Sequence, residues 1–522
     1  MANAHERVVP LTLESTEKAL QECQFAGGIA ASALEGEFGA SRITRDYLAV
    51  MGDLLPTHPR LVRQGFSQIP KEQGVTFDPA TGEQHGRLPH QVAYNVWDGE
   101  RVPEAIIASR RSWAERWGVP FNEDTGFVVW NQTDASRYIH ELSRYVTTYG
   151  NGVLDDSFVH RPTGEQRSVR QAALLQLEWM VNAIENSSLG LLEMREFNPL
   201  QTSWSGVTRD GYDAYFHPLG PHGQLINKAG PVAYIENQGL AVQAFRDALD
   251  LFPAEQYPEL APQRKRWQEI AAELPARAFE LFRWDDENYL VPAIDRDSRG
   301  HPRQVRLLSS ATAETLATPE LYHGVHRGDF DFRDILTGII TKVFSHEFMT
   351  PVGMRMLSRR HERYEGELYA YQGSKAVWPV TQWRIAEGLE QAGLPELAQH
   401  VRLQRVLPAL ETAGNFPELF YVSDGGQVAY RKASSSPDMR LAAEQWPSDK
   451  QAWTISGARA AFGPVQATSP ATGWRKHLVS IALRGIKDTP THSQTQPLTY
   501  HVDINHGKTL GTARYEAMGE IQ

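Results

Sequence analysis

Amphipathic helical segments recur along most of this sequence. In each of them apolar residues repeat every three or four positions, as in VRQAALLQLEWMVNAIEN (169–186) and AYIENQGLAVQAFRDALDLF (233–252), and this spacing is typical of an α-helix that buries one face. Similar segments predict further helices at 12–24, 44–54, 104–117, 133–150, 266–282, 334–348, 380–393 and 397–414. Convincing strands are few, namely ENYLVPAID (287–295) and LTYHVDI (498–504). An even spread of about ten to twelve helices along this 522-residue chain predicts one all-α domain of stacked helix pairs.

A closed ring of helix pairs fits this pattern better than an open one. No identical repeat is visible in the sequence, which disfavours a solenoid. In a closed toroid the loops at one end converge and form a pocket. Residues 1–463 are predicted to form this toroid. Residues 464–522 contain fewer helix signals and more Thr, Gln and His, so we expect a C-terminal extension that contains strands and packs on the toroid.

Composition and charge exclude several classes of protein. The net charge of -11 argues against a nucleic-acid partner, because phosphate contacts need clustered Lys and Arg. Cys23 is the single cysteine, so neither an intrachain disulfide nor a cysteine-based metal site can form. No His-Glu-x-x-His spacing occurs, so no metal is expected. The first 20 residues lack the apolar core of a secretory signal, and no run of about 18 apolar residues follows, so we expect a cytoplasmic protein without a membrane partner.

The aromatic residues and the loop carboxylates point to a carbohydrate ligand. Thirteen Trp and eighteen Tyr, many of them beside Gly, Pro, Asp or Glu, favour a polar cleft with flat walls that suit sugar rings. Carboxylates occur in loops between aromatic residues at 198–220 and 414–426, where burial can raise the pKa of a general acid. Arg45 and Asp46 are adjacent, and adjacent side chains do not face each other on a helix. Asp46 therefore either begins a helix as a first-turn acid, or both charges bind something outside the helix.

Seven motifs between Gly27 and Ala461 resemble, in their order, those of glucoamylases and of bacterial amylo-α-1,6-glucosidases, the glycogen-debranching branch of the same superfamily. The motifs are GGIAAS with SRITRDYLAVMGDLL, QGVTFDPATGEQHGRLPHQ, VVWNQTDASRYIHEL, GPVAYIENQGLAVQAFRDAL, FELFRWDDENYLVPAID, MTPVGMRMLS with YAYQGSKAVWP, and FPELFYVSDGG with WPSDKQAW. The resemblance implies an (α/α)6 toroid, a six-hairpin barrel with long loops that form a pocket. It also implies an exo-acting, inverting glycoside hydrolase that cleaves α-glucosidic bonds.

The resemblance assigns roles to individual residues. Glu418 in the PELF motif corresponds to the general base, and the FHPLG motif places the general acid at Asp210, with Asp213 as the alternative. An inverting glycosidase needs such a pair, because one carboxylic acid protonates the leaving oxygen while a carboxylate roughly 6.5–9.5 Å away activates water. No cofactor is implied, since two carboxylates and a water suffice. The implied substrate-binding residues are Arg45, Asp46, Asp134, Trp204, Glu236, Tyr371 and Trp378.

The sequence departs from the family pattern near the expected sugar site, and several functions therefore stay open. Thr208 stands where relatives have a Trp, and Val380 and Thr381 stand where they often have Trp and Asp. The substrate is then a glucan branch or a short α-glucoside. One alternative is a toroidal hydrolase of another small glycoside, such as trehalose or a glucosyl- or mannosyl-glycerate. The other is a carbohydrate-binding protein that has lost turnover.

Overall fold

The computed structural model describes most of the chain, and all structural statements below concern that part. The described residues are 11–25, 28–31, 41–79, 81–97, 100–117, 119–130, 135–194, 231–319, 321, 332–360, 376–422, 428–429, 450–462 and 471–487. None of the helices within them has the length and apolarity that crossing a bilayer requires.

Fourteen α-helices occur in the described residues. They are α1 (Leu13–Glu22), α2 (Thr44–Leu54), α3 (Pro59–Gln68), α4 (Glu104–Trp117), α5 (Ala135–Tyr149), α6 (Val169–Glu185), α7 (Ile235–Leu251), α8 (Ala261–Phe282), α9 (Phe332–Val343), α10 (Pro379–Gln391), α11 (Pro395–Val401), α12 (Leu407–Ala413), α13 (Ala452–Ala461) and α14 (Trp474–Gly485). A π-helix (Arg402–Val406) joins α11 to α12, and shorter 3-10 helices are Ile69–Glu72, Asn151–Asp155, Pro258–Leu260, Asp285–Glu287 and Ser310–Ala317.

The strands are short, and every pair is antiparallel. They are β1 (Gln24–Phe25), β2 (Gly28–Ile29), β3 (Ser41–Ile43), β4 (Gln91–Ala93), β5 (Val96–Trp97), β6 (Glu100–Arg101), β7 (Phe127–Val129), β8 (Ser157–Val159), β9 (Gln166–Ser168), β10 (Glu193–Met194), β11 (Val232–Tyr234), β12 (Arg283–Trp284), β13 (Tyr289–Leu290), β14 (Ala293–Arg296), β15 (Pro302–Val305), β16 (Met349–Thr350), β17 (Gly353–Met354), β18 (Ala376–Val377), β19 (Phe420–Val422) and β20 (Val428–Ala429). The larger sheets have the strand orders β10-β11-β14-β15, β3-β4-β7 and β18-β19-β20. They hold together the loops at the beginnings of the helices.

Six helical elements form a closed inner ring. In order around the ring they are α2, α5, α7, the 3-10 helix 310–317, α10 and α13, and each packs on the next, with α13 returning to α2. Several begin directly after a strand: α2 follows β3, α7 follows β11, and α10 follows β18 by one residue. The strands therefore fix where these inner helices begin.

A second layer of helices surrounds the ring. Along the chain each of the first five inner elements is followed by an outer one that packs against it: α3 follows α2, α6 follows α5, α8 follows α7, α9 follows the 3-10 helix and α11 follows α10. The outer partner of α13 is α1, from the other end of the chain. One continuous cluster of buried apolar side chains extends through both layers.

The inner elements approach one another closely because glycines face their neighbours. A Cβ at Gly388 of α10 would lie 2.5 Å from the backbone of the 3-10 helix at Leu316 and Ala317. A Cβ at Gly52 of α2 would lie 2.7 Å from a carboxylate oxygen of Glu141 in α5. These two positions tolerate only glycine unless the neighbour moves. The close approach of the inner elements therefore depends on them.

The structure confirms the predicted helical character and corrects several details. Helices occur within all ten predicted segments, but α3, α13 and the 3-10 helix 310–317 were not predicted. The twenty short strands also exceed the few expected, because strands of two to four residues are too short to show an alternating pattern. ENYLVPAID forms two strands, which Pro292 separates. The C-terminal extension was expected to contain strands, but its described residues form α14, while LTYHVDI lies outside the described residues.

Candidate active site

A cavity lined by residues of all six inner elements opens at one end of the inner ring. Every inner element contributes a polar or aromatic side chain to its wall near the beginning or middle of the element. One such residue from each, in ring order, is Arg45, Arg137, Glu236, Glu314, Arg384 and Trp453. The site is therefore assembled from the whole ring, and its residues are distant in the sequence.

Arg45 and Asp46 both lie in the first turn of α2 and form an ion pair. Arg45 Nε donates to Asp46 Oδ1 at 3.1 Å, so the expectation that adjacent side chains would not meet is wrong. Arginine has a long side chain that can turn back along the helix to its neighbour, which shorter residues cannot do. The Arg45 guanidinium also lies 4.9 Å from the centre of the Trp453 ring, a cation–π contact. Arg45 lines the cavity, and Asp46 is buried beside it.

Two tryptophans form an aromatic wall. Trp378 is the N-cap residue of α10 and Trp453 lies in the first turn of α13. Their ring centres are 5.9 Å apart at an angle of 64°, an edge-to-face arrangement that is favourable for aromatic pairs. Both rings are buried and both line the cavity. Trp378, which was predicted as a wall residue, thus lines this cavity, and its role in sugar binding stays a prediction.

Two glutamates line the cavity from neighbouring elements. Glu236 lies in the first turn of α7, and Glu314 lies in the 3-10 helix that follows α7 in the ring. Both are nearly fully buried. Glu236 occupies the positive end of a helix dipole, which favours a carboxylate there. Glu236 was among the predicted substrate-binding residues, whereas Glu314 was not.

Glu418 is buried between the beginnings of α10 and α13. Strand β19 pairs antiparallel with β18 through Phe420 and Val377. The chain before β19, which carries Glu418, therefore lies at the same end of the sheet as Trp378, which follows β18. On the other side, the Thr454 hydroxyl of α13 donates to the carbonyl oxygen of Pro417 at 2.9 Å. The Glu418 side chain is 2% exposed. This candidate base therefore lies next to the two helix starts that carry the aromatic wall.

Other predicted site residues lie outside the described residues. They are Asp134, Trp204, Asp210, Asp213 and Tyr371. The described residues on either side of the 195–230 segment are paired, because Glu193 and Met194 of β10 lie opposite Ala233 and Val232 of β11. Strand β11 leads directly into α7 and Glu236. The chain therefore enters and leaves the segment that carries Asp210 and Asp213 beside one wall of the cavity.

A layer of charged residues lies one turn further along the inner helices. Arg137 Nε contacts Glu141 at 3.3 Å within α5, and an Arg384 terminal nitrogen contacts Glu387 at 3.4 Å within α10. Burial opposes ionisation of the Glu387 carboxyl, but the guanidinium groups of Arg384, Arg144 and Arg137 outweigh it and hold its pKa at about 2. The same balance of burial against Arg144 and Arg137 lowers the pKa of Glu141. Both carboxylates are therefore charged at neutral pH.

Asp53 in the last turn of α2 belongs to the same layer and behaves differently. Its Oδ2 accepts a hydrogen bond from the Ser456 hydroxyl at 2.6 Å. Burial raises the pKa of this carboxyl to about 6, and the negative charges of Glu387 and Glu141 add to the effect, although the Ser456 hydrogen bond and Arg137 oppose it. Asp53 is thus the member of this layer whose charge changes in the mildly acidic range.

Several cavity residues were missed in the sequence, namely Arg137, Glu314, Arg384 and Trp453. Trp453 ends the motif WPSDKQAW and could have been found there. Glu314 is the one charged residue in the run of small side chains SSATAETLA, which is a weaker signal. Arg137 and Arg384 pair with acids three or four positions later, and in a sequence such pairs are indistinguishable from those on an exposed helix face.

No group of three or more His, Cys, Asp or Glu side chains in the described ranges is arranged to hold a metal ion. The candidate site consists, as far as it is described, of arginines, carboxylates and aromatic rings. This set can bind hydroxyl groups and transfer protons.

Comparison with known proteins gives information on the fold. No family model matches the sequence, and no protein with a curated description matches it. The crystal structure of the GH63 mannosylglycerate hydrolase from Thermus thermophilus in complex with Tris is similar, with a TM-score of 0.53 and 12% sequence identity over 86% of this chain and 99% of that chain. The complex of that enzyme with Tris and D-glycerate gives the same values. The fold is an (α/α)6 toroid. The glucoamylase-type resemblance and this structural likeness therefore agree on the six-hairpin barrel.

Proposed function

We propose that this protein is an exo-acting, inverting glycoside hydrolase of small α-glucosides. The observation that carries the proposal is the cavity at the helix starts, which Arg45, two tryptophans and Glu236 line, with Asp46 paired to Arg45. Charged side chains bind hydroxyl groups strongly, and aromatic rings cover the apolar face of a sugar. The exo-acting character, cleavage at a terminal sugar, is what the glucoamylase-type motifs imply.

Glu418 is the general base in this proposal, and the general acid is Asp210, or Asp213 in its place. The base activates a water molecule that attacks the anomeric carbon, while the acid protonates the leaving oxygen. The buried position of Glu418 between the starts of α10 and α13 supports its role. The assignment of the acid rests on the FHPLG motif, because Asp210 and Asp213 lie outside the described residues.

A hydrolase of a glycosyl-glycerate is the second candidate. Two observations favour it over a glycogen-debranching activity. Two of the structures of similar fold are those of a mannosylglycerate hydrolase, one of them with D-glycerate bound. In addition, Val380 and Thr381, where the debranching relatives often have Trp and Asp, line this cavity. These two residues make the cavity different from a debranching site in the part that would hold the sugar.

A glycoside panel tests both candidates. Purified protein is incubated with maltose, isomaltose, a branched glucan, trehalose, glucosylglycerate and mannosylglycerate, and released sugar is measured by enzymatic assay and by proton NMR. We expect release from one small α-glycoside with inverted anomeric configuration. If the β-anomer of the released sugar appears first, the enzyme inverts the configuration at an α-linkage. If the α-anomer appears first, the configuration is retained, and this result would overturn the assignment of Glu418 as a base.

Three variants test the residue roles. Glu418→Gln, Asp210→Asn and Asp213→Asn are compared with Glu280→Gln, a control on the outer helix α8 where Glu280 pairs with Arg277 at the surface. We expect Glu418→Gln and one of the two aspartate variants to lose more than about a thousandfold in turnover, and the control to lose none. Sugar binding by a wild-type protein that hydrolyses none of the glycosides would instead support a carbohydrate-binding protein.

A further inference from the structure

Two arginines of the cavity wall have no role in the proposed mechanism, although each is held by a carboxylate on its own helix. Arg137 and Arg384 line the cavity from α5 and α10. Their side chains are 10% and 12% exposed, and their carboxylate partners, Glu141 and Glu387, lie one turn further from the cavity. A charge with so little exposure is costly unless it is paired, so these pairs explain how arginines can be present in this wall.

We propose that Arg137 and Arg384 bind hydroxyl groups of the sugar in the cavity, and that Glu141 and Glu387 are positioning residues that hold the two guanidinium groups in place. The proposal rests on the proposed function, since it assumes a sugar in this cavity. It adds two ligand-binding residues and two residues that act through them.

The chemistry of the guanidinium group supports this arrangement. Arginine has five N–H donors in a rigid plane, and the contact from Arg137 to Glu141 uses Nε alone. A carboxylate that anchors one side of the plane fixes the direction of the others, which lowers the entropy lost when a ligand binds. Glu141 is anchored in turn by Arg144 at 2.9 Å, so the anchor itself is held from two sides.

The packing of α2 against α5 is adapted to the Glu141 carboxylate. Gly52 leaves the space that this group occupies, and a Cβ there would approach both of its oxygens and its carboxyl carbon at 2.7–3.0 Å. Alanine usually stabilises a helix relative to glycine by roughly 1 kcal/mol. A glycine at this point of α2 therefore serves the position of Glu141 and, through it, the position of Arg137.

A double-mutant cycle separates positioning from general stability. Arg384→Gln, Glu387→Gln and the double variant are compared for KM and kcat on the accepted glycoside, and for the Kd of the released sugar measured by tryptophan fluorescence. Glu280→Gln is again the control, because it also breaks an arginine–glutamate pair three residues apart. The same cycle with Arg137 and Glu141 gives an independent second measurement, with Gly52→Ala as a third way to displace Glu141.

We expect Arg384→Gln to raise KM and the sugar Kd roughly tenfold or more, the loss of a charge-assisted hydrogen bond. Glu387→Gln should raise them severalfold in the wild-type background and less than about twofold once Arg384 is absent, because its effect passes through that arginine. Additive effects in both cycles would overturn the positioning role while the proposed function stands. Unchanged affinity in Arg384→Gln and Arg137→Gln would overturn the ligand role. A wild-type protein that neither binds nor cleaves any sugar of the panel would overturn the proposed function and this inference together.

Discussion

The carboxylate of Asp46 lies at a helix start and beside Arg45, which lines the cavity. It lies in the first turn of α2, whose N-cap residue Ile43 makes no side-chain capping bond, and an anion is favoured at that end of a helix. It also accepts the hydrogen bond from Arg45 Nε at 3.1 Å, and Arg45 in turn lies over the ring of Trp453. The two interpretations of Asp46 from the sequence are therefore compatible, since one side chain can meet both requirements.

Asp46→Asn is expected to weaken function much more than stability. The amide keeps the size of the side chain but removes the charge that orients Arg45, so kcat/KM on the accepted glycoside should fall by more than about tenfold. The melting temperature should change by only about 1 °C, the effect of roughly 1 kcal/mol in a domain of this size, because the entropy of unfolding grows with chain length. Asp156→Asn is the control, because Asp156 pairs with Arg63 at the outer surface. Equal kinetic effects of the two variants would contradict a role for Asp46 at the cavity.

Asp53 makes the stability of the protein depend on pH in a defined range. Its pKa is about 6 in the folded protein and 3.8 as the ordinary value. Between these values the native state binds more protons than the unfolded state, so the contribution of this group to the unfolding free energy falls as the pH rises from about 4 to about 6. Above about pH 6 the contribution is constant, because the carboxyl is then ionised in both states.

Asp53→Asn should remove this dependence. The amide oxygen can still accept the Ser456 hydroxyl, and it carries no charge at any pH. As the pH rises from 4 to 6, the unfolding free energy of the variant should increase relative to that of wild type. The increase should be at most roughly 3 kcal/mol for a pKa shift of this size. Urea unfolding at pH 4, 5, 6 and 7 measures the difference. Parallel stability curves for the two proteins would show that the Asp53 carboxyl is not perturbed.

At the scale of elements, the inner ring depends on contacts that leave no room for a side chain. Gly388 of α10 faces the backbone of the 3-10 helix 310–317. Gly457 of α13 faces the ring of Trp383, and a Cβ at Gly457 would lie 2.2 Å from that ring. Gly65 of the outer helix α3 instead faces the flexible end of the Met51 side chain, at 2.6 Å from its sulfur. The two situations differ in whether the neighbour can move.

Gly388→Ala and Gly65→Ala test this difference. Both changes favour the helix by propensity, so any loss of stability reports the contact. Gly388→Ala should destabilise the protein by roughly 1–3 kcal/mol, because backbone atoms must shift. Gly65→Ala should cost less than about 1 kcal/mol, because Met51 can change its rotamer. Urea unfolding midpoints of the two variants decide the matter, and a reversed order would contradict the rigid contact at Gly388.

Most helices with a regular mixture of apolar and polar positions could be predicted from the sequence. The helical segments at 169–186 and 233–252 alternate apolar and polar positions and were found, whereas α13 was missed. Residues 452–459 of α13 are all buried, and a helix that is surrounded by protein has no polar face to produce a period. The 3-10 helix 310–317 was missed for the same reason, since all eight of its residues are buried. Two of the six inner elements that carry the site therefore left no periodic pattern in the sequence, whereas α2, α5, α7 and α10 were predicted.

At the scale of the whole molecule, the ring is closed by contacts between the two ends of the described chain. Helix α1 packs on α13, and Arg459 of α13 donates to Glu17 of α1 at 2.6 Å. His58, which precedes α3, contacts the other oxygen of Glu17 at 2.8 Å. The closed form was predicted because no identical repeat is visible in the sequence, but the contact between Arg459 and Glu17 joins residues 442 positions apart and leaves no local signal.

Because α1 completes the outer layer, a cavity in its packing face should weaken the entire toroid. Leu20 is fully buried in α1, whereas Leu13 at the start of the same helix is 49% exposed. Leu20→Ala should lower the unfolding free energy by roughly 2–5 kcal/mol, and Leu13→Ala should change it by less than about 0.5 kcal/mol.

Urea unfolding is followed by far-UV circular dichroism, which reports all helices, and by the fluorescence of the tryptophans, which include the pair at the cavity. We expect both signals to shift together, since the cavity tryptophan Trp453 lies on the helix that α1 covers. A fluorescence transition that stays at the wild-type midpoint while the helical signal shifts would show that α1 unfolds separately and does not close the ring.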